Sequence, residues 1–590
     1  MKIERGPLLH FDFATPKGKI QPITFSNPIE VITTTSIDDV ISSLERVQQR
    51  VHEGKYAAGY ISYEAAPAFH QQFKVNGKPN MPLIWFGIFE GPTQLGQPLK
   101  ATNTFTTHAW EPSVAASDYY KHMDTIQSYL KNQQTEQVNY TIRMKSQFSG
   151  DPIAFYKQLQ KGQDAQYTAY VEMGGFSIVS ASPELFFQLS DRKITTKPMA
   201  GTVVRGKTFE EDEAHAKWLQ QSEKNRHENE QIVQLMKQDL KGIAKPGTLK
   251  VPKRYEIEKY PTIYQMTSTV TAELLSHKNV VDIFKTLFPS GSITGLPKAE
   301  TMEIIAQLEQ EPRDVYSGAI GYITPEWDAI FNVPIRTVTI DHRDEKAIYG
   351  AGSGITLNSA KSEEYNEVLA KAKVLETKRP HFELLETIGL FHGELYLLDE
   401  HLRRLQRSAT YFDYPFNREV IKRKLYSFAK KHSQNNYRVR LLLHKEGTCT
   451  VEGYPIQLHD STERKKVVLA KSPIQKENVF LYHKTTYRDM YEEHKQTETK
   501  LFDVLLWNED GEVTEFTTGN IVVEMDQQRF TPPVQSGLLA GTFREVLLRE
   551  GKIKERTIRI EDLKKCASIW FINSVRKWVR VKLDTDSGNR

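Results

Sequence analysis

The chain has almost no cysteine: Cys449 and Cys566 are the only two among 590 residues. Two thiols exclude a disulfide framework and fit a reducing compartment. Neither stands in a G-x-C-x-G context, so a glutamine amidotransferase nucleophile is not expected here. Long apolar runs are also missing, and none approaches the length that spans a membrane. The opening residues, M-K-I-E-R-G-P-L-L-H-F-D-F, lack the apolar core of a signal peptide. A cytoplasmic protein with no membrane partner is expected. An excess of charge of one sign is missing as well. With 78 Lys and Arg against 74 Asp and Glu, the net charge is +4 and no basic block suggests nucleic acid. The rest is ordinary for a globular protein, 39% hydrophobic and 26% charged. At this length one core is not enough, and two or more domains are expected.

The densest stretch runs over residues 288–373. It holds F-P-S-G-S-I-T-G-L-P-K from Phe288, Y-S-G-A-I-G-Y from Tyr316, I-R-T around Arg336, G-A-G-S-G-I from Gly350 and E-E-Y-N-E from Glu363. Successive amides in a glycine-rich turn form an anion-binding concavity. Arg336, in an expected strand, carries a planar fork that suits a carboxylate. Glu364 and Glu367 are spaced i, i+3 and share one face of an expected helix. Carboxylate oxygens so placed suit a hard cation such as Mg2+. Taken singly, each feature has a plainer reading as a turn, a surface charge or a solvated helix. In this order they describe a site for a small polycarboxylate.

The run closely resembles the chorismate-utilising enzymes: anthranilate synthase component I, aminodeoxychorismate synthase component I, and the isochorismate and salicylate synthases. The resemblance implies substrate contacts at Gln137, Ser292, Thr294, Tyr316, Arg336, Gly350 and Gly352. It implies Mg2+ held by Glu228, Glu364 and Glu367. Gln137, in E-Q-V-N-Y-T, stands where water-adding relatives carry a lysine base and ammonia-adding ones a glutamine. S-A-S-P-E-L-F-F and T-T-K-P-M-A-G-T-V-V-R-G also match. In the second of these, Ala200 replaces the lysine that typical aminodeoxychorismate synthases use as a nucleophile, and is the residue of anthranilate synthases. Lys197 is expected on the opposite strand face and does not substitute for it. Gln265 stands where relatives have a histidine, and Asn358 where an aspartate is common. Around Glu228, I-V-Q-L-M-K-Q-D departs from the usual I-V-D-L-x-R-N-D.

The resemblance ends near residue 376, followed by a short polar joint, Thr377-Lys378-Arg379-Pro380. Pro380 discourages a continuing helix. An expected strand over 382–388, a hairpin over 389–398 and a helix over 399–409 then restart the pattern. This part resembles the fold-type IV pyridoxal 5'-phosphate (PLP) enzymes: branched-chain and D-amino-acid aminotransferases and aminodeoxychorismate lyase. H-L-R-R-L-Q-R-S points to Arg404 on the cofactor phosphate, H-K-T-T-Y-R-D-M-Y to Lys484 as the Schiff-base lysine, and V-T-E-F-T-T-G-N-I to Glu515 on the pyridinium nitrogen. G-L-L-A-G-T-F-R implies a phosphate cradle of the Gly541, Thr542 and Phe543 amides. Arg440, in the expected strand Y-R-V-R-L-L-L, is a further substrate-side candidate.

The expected fold class is two-domain α/β (α+β). Residues 1–376 form a sandwich-like chorismate-binding domain, with an N-terminal part over 1–110 and a core over 111–376. Residues 381–590 form a fold-type IV domain. The pairing implies amination of chorismate to 4-amino-4-deoxychorismate, then PLP-dependent elimination of pyruvate to 4-aminobenzoate, for folate. Ammonia is expected from a separate glutamine amidotransferase subunit, and a homodimer through the PLP domain is expected from the fold-type IV resemblance. Three alternatives stay open: an anthranilate synthase as the first domain, an amino-acid aminotransferase as the second, or a first domain that binds chorismate without turnover.

Overall fold

The computed structural model describes residues 6–15, 18–376, 379–457, 464–494 and 501–584. Two of the four joint residues, Thr377 and Lys378, lie outside the described residues. The chain divides into two compact units. The first comprises the residues up to Val204 with Ala216–Arg379; the second comprises Arg205–His215 with the residues from Pro380 onward.

The first unit is built on two large antiparallel sheets of eleven and ten strands. The strand Leu8–Ala14 shows why they stack. Its alternate residues Leu9, Phe11 and Phe13 enter one apolar cluster with Ala58, Tyr60 and Phe89 of the other sheet. Period-two alternation puts an apolar face on each sheet, and the two faces close on each other. The opposite face of the first sheet is covered by the helices Ala116–Lys131, Pro152–Gln163, Lys298–Leu308 and Lys361–Ala372, whose apolar residues share a second cluster with its strands. The second sheet is covered in the same way by Val40–His52, Glu223–Leu240 and Val280–Leu287. Val40, Leu44, Val47 and Val51 make the buried stripe of Val40–His52 at helical spacing. The expected sandwich-like fold is found, and the structure adds that the helices cover its outer faces.

Two local expectations are corrected. Gly350 and Gly352 were expected in an anion-binding turn, but they lie inside the strand Lys346–Ile355, paired with Arg143 and Thr141 of Gln137–Gly150. A strand points successive amides to opposite sides, so no concavity forms there. Arg336 was expected within a strand; it precedes the strand Thr337–Asp341 and takes a left-handed φ of 51°.

The second unit has a four-stranded sheet, including Leu384–Phe391, Tyr437–Leu443 and Cys449–Pro455, packed against the helices Leu398–Phe412 and Arg418–Lys431. An eight-stranded sheet follows, with the helix Thr542–Arg549 packed on it. The Lys484 segment lies along the edge of the four-stranded sheet, where the Leu385 amide donates to the Lys484 carbonyl at 2.9 Å.

Candidate active sites

In the first unit, the facing strands Gln137–Gly150 and Lys346–Ile355 form the floor. A methyl on Gly350 would sit 2.4 Å from the Tyr316 ring, and one on Gly354 would sit 2.1 Å from Gln137 Nε2. The glycines therefore make room for side chains: Tyr316 lies flat over one and the Gln137 amide over the other. Gly354 was not singled out in the sequence, although the alternating glycines from Gly350 carry the signal.

Ser292 Oγ donates to Glu184 Oε1 at 2.6 Å, and burial pushes that carboxyl up to about 7. Thr294 is fully buried, and its Oγ1 donates to the Ser290 carbonyl at 3.2 Å. Arg313 holds this turn by donating from Nη1 to the Ile293 carbonyl (2.8 Å) and from Nη2 to Glu309 Oε1 (2.6 Å). Arg143 completes the buried group, with its guanidinium 5.6 Å from the Tyr316 ring. The Arg143–Glu309–Arg313 group was missed, because charges scattered over 170 residues carry no local pattern.

Arg336 Nη1 donates to Gln163 Oε1 at 2.6 Å, and the guanidinium lies 5.6 Å from the Tyr260 ring. Tyr260 donates to Glu258 (2.8 Å), which is ion-paired with Lys197. Lys197 ends the strand Lys193–Lys197, and a new strand, Met199–Val204, begins after Pro198. Ala200 lies in that second strand. Gln265 engages its neighbours, donating from Nε2 to the Gly201 carbonyl (3.0 Å) and accepting from Thr202 Oγ1 (2.9 Å).

The three carboxylates expected on Mg2+ are only partly brought together. Glu228, on Glu223–Leu240, is pushed up by burial; Lys224, 3.9 Å away, and His227 offset part of this, and the negative charge of Glu364 adds a smaller rise. Such like-charge crowding is what a dication relieves. Glu367 is instead paired with Lys371 at 2.8 Å, and Lys371 also donates to the Gly352 carbonyl at 2.8 Å. Among the described residues no three metal-ligating side chains are gathered.

In the second unit the expected residues converge more closely. Burial, then the charges of Arg404 and Arg488, push the Lys484 ammonium down to about 7. Buried Glu515 is pushed up to about 7 by the same loss of water. Its Oε1 accepts from Tyr491 Oη (2.9 Å) and the Leu539 amide (3.2 Å), and its Oε2 from Asn520 Nδ2 (3.3 Å). Arg404 donates to both oxygens of Glu386 and, through Nη1, to the Ala540 carbonyl at 3.1 Å. That carbonyl precedes Gly541, the N-cap of Thr542–Arg549, whose first amides have no acceptor within the helix. His401 spans Glu386 Oε2 (2.6 Å) and Thr542 Oγ1 (3.3 Å).

A lysine of lowered pKa, a buried carboxylate facing it, and an arginine beside a helix N-terminus suit an aldehyde-bearing, phosphorylated, protonatable ring such as PLP. Glu386, Tyr491 and Asn520 were missed as partners; Asn520 had been visible in the N-I element. Arg440 is not brought to this group. Strand alternation puts it on the face opposite Glu386, where it pairs with Glu452 at 3.7 Å.

Residues 11–377 match the family model described as chorismate binding enzyme. The chain belongs to that family. Residues 383–583 of this chorismate binding enzyme match the class IV aminotransferase family. Among curated relatives, aminodeoxychorismate synthase component 1 of Klebsiella aerogenes is 35% identical over 275 residues, 46% of this chain and 60% of the relative. Its counterpart in Bacillus subtilis (strain 168) is 37% identical over 254 residues, 43% of this chain and 54% of the relative. The chain thus spans little more than half the length of these relatives. The crystal structure of anthranilate synthase component I from Streptococcus pneumoniae TIGR4 shares the fold of the first unit. It has a TM-score of 0.51 and 22% identity, covering 64% of this chain and 93% of that one.

Proposed function

We propose that the chain makes 4-aminobenzoate in two steps, aminating chorismate to 4-amino-4-deoxychorismate in the first unit and eliminating pyruvate from it in the second. One observation carries the reading: a chorismate binding unit is continuous with a unit whose Lys484, Glu515 and Arg404 converge on one site. An anthranilate-forming first unit would already release pyruvate and leave that site without a substrate. The runner-up remains anthranilate formation, because Ala200 is the residue of that family.

In the first unit, Arg336 orients a substrate carboxylate, with Gln163 and the Tyr260 face fixing its fork. The Gln137 amide, seated over Gly354, receives ammonia. Tyr316 and the Ser292–Thr294 turn form the walls. Glu228 and Glu364 would hold Mg2+, and Glu367 would join them on leaving Lys371. In the second unit Lys484 holds the cofactor and then moves protons. Bound PLP supplies an electron sink. Glu515 keeps its ring nitrogen protonated, and Arg404 with the Gly541, Thr542 and Phe543 amides anchors its phosphate. Ammonia comes from a separate amidotransferase subunit, consistent with relatives named component 1. Among the described residues no helix is long and apolar enough to cross a membrane. A cytoplasmic location and dimerisation through the second unit complete the reading.

The test is product identity from purified protein given chorismate, Mg2+, PLP and ammonium. The expected products are 4-aminobenzoate and pyruvate, with 4-aminobenzoate lost in Lys484→Ala. Anthranilate formed equally well by Lys484→Ala would overturn the reading.

A further inference from the structure

Residues 205–215 lie, by sequence, inside the chorismate-binding pattern, yet they pack as part of the second unit. They fold on themselves before they dock. Arg205 and Asp212 form a buried ion pair at 2.5 Å, and the Gly206 amide donates to Asp212 Oδ1 at 3.1 Å. The strap grips the helix Leu398–Phe412. The Arg205 guanidinium lies 4.0 Å from the Tyr411 ring and donates to the Tyr411 carbonyl (2.8 Å), while Tyr411 Oη donates to the Gly206 carbonyl (2.8 Å).

The grip ends on His483, the residue before Lys484. Its Nε2 lies 3.0 Å from the Lys207 carbonyl and its Nδ1 lies 2.9 Å from Ser408 Oγ. A carbonyl only accepts, so Nε2 carries the proton and Nδ1 accepts from the serine. The ring is also fixed by Tyr411 and Phe412, at centroid distances of 4.3 and 4.9 Å. Burial pushes the His483 pKa down to about 3, so the neutral tautomer persists across the working range.

We propose that the 205–215 strap, acting through His483, positions Lys484 and keeps water from it. The proposal rests on the reading of Lys484 as the cofactor lysine. His483 touches neither substrate nor cofactor in this role; it is a positioning residue. The groups facing Lys484 are Arg404 and His401 of Leu398–Phe412, Glu386 of Leu384–Phe391, Arg488 of its own segment and Glu515 of Val513–Phe516. Those facing His483 from the strap are Arg205 and Asp212. Loosening the strap leaves these charges in place and admits water, so the lysine should move back toward its ordinary range.

The test uses the full chain. The pH midpoint of Lys484 is read from reductive methylation of the apo-protein followed by mass spectrometry, while the visible band of the PLP-loaded protein reports whether Lys484 carries the cofactor. In His483→Leu the midpoint should rise by about one unit or more, and kcat should fall about tenfold with KM little changed. His483→Gln, which can donate to Lys207 and accept from Ser408, should restore both. Ser408→Ala and Asp212→Asn should shift the midpoint in the same direction, and they stand in should His483→Leu not fold. An unchanged midpoint in folded Ser408→Ala and Asp212→Asn would overturn the proposal. A visible band that survives Lys484→Ala would instead overturn the cofactor-lysine reading.

Discussion

Arg404 and Glu386 form a two-pronged pair, with Nε on Oε1 at 2.9 Å and Nη2 on Oε2 at 2.7 Å. Burial alone would raise the Glu386 pKa, but Arg404 and then His401 overcome it and hold the carboxyl at about 2. The arginine that faces the expected phosphate position is thus aimed by a carboxylate that also holds His401.

This pair should make the second unit acid-sensitive. A carboxylate near 2 in the folded state and about 4.3 unfolded stabilises the fold fully above about pH 5. That contribution is lost as the pH falls from there toward 2. Glu386→Gln should flatten the dependence, lower stability by about 3 kcal/mol through a buried unpaired arginine, and weaken PLP binding. Denaturant melts at pH 7 and pH 3 check it.

Glu515 is enclosed by Tyr491, Asn520 and the Leu539 amide. Glu515→Gln keeps the shape and the acceptor oxygen and loses the charge. PLP should still bind, while release of 4-aminobenzoate from 4-amino-4-deoxychorismate should fall about 100-fold or more. Single-turnover kinetics with the isolated intermediate check this without the first reaction.

Gly354→Ala would place a methyl where the Gln137 amide now lies. The obstacle is the far end of a flexible side chain, so the fold should tolerate it, with Tm unchanged within about 2 °C. Amination should slow about tenfold or more because the glutamine is displaced. Steady-state rates on chorismate with ammonium measure the effect.

Glu228 sits above its ordinary range, raised by burial with a further push from Glu364. Protons should therefore compete with Mg2+, and the Mg2+ needed for half-maximal rate should rise as the pH falls. Glu228→Gln should abolish that trend and raise the requirement about 10- to 100-fold. Mg2+ titrations at several pH values decide it. Glu367→Gln should also loosen Lys371 and tests whether the third carboxylate joins on binding.

Much of this was legible in the linear chain because it rests on local chemistry. Lys484, Glu515, Arg404 and the Gly541–Phe543 turn each sit in a short motif whose backbone and side chain act together. The sandwich-like fold of the first part followed from the resemblance carried by the motifs of residues 288–373. The glycines at 350 and 352 were misjudged because smallness has two uses, turning a chain and admitting a neighbour. Only the register against Arg143 and Thr141 selects the second.

The sequence by itself determined the order of the chorismate-binding and class IV aminotransferase patterns and the short motifs that carry Lys484, Glu515 and Arg404, since these follow from stretches a few residues long. Only the tertiary structure decided the partners: Glu386 under Arg404, Gln163 and Tyr260 beside Arg336, Arg313 behind the Ser292–Thr294 turn, and Lys207 behind His483. Those residues lie 18 to 276 positions apart, and Lys207 belongs to the Arg205–His215 segment, which packs as part of the second unit. A buried charge or donor is satisfied by whatever the fold brings within about 3 Å. No spacing in the chain records that.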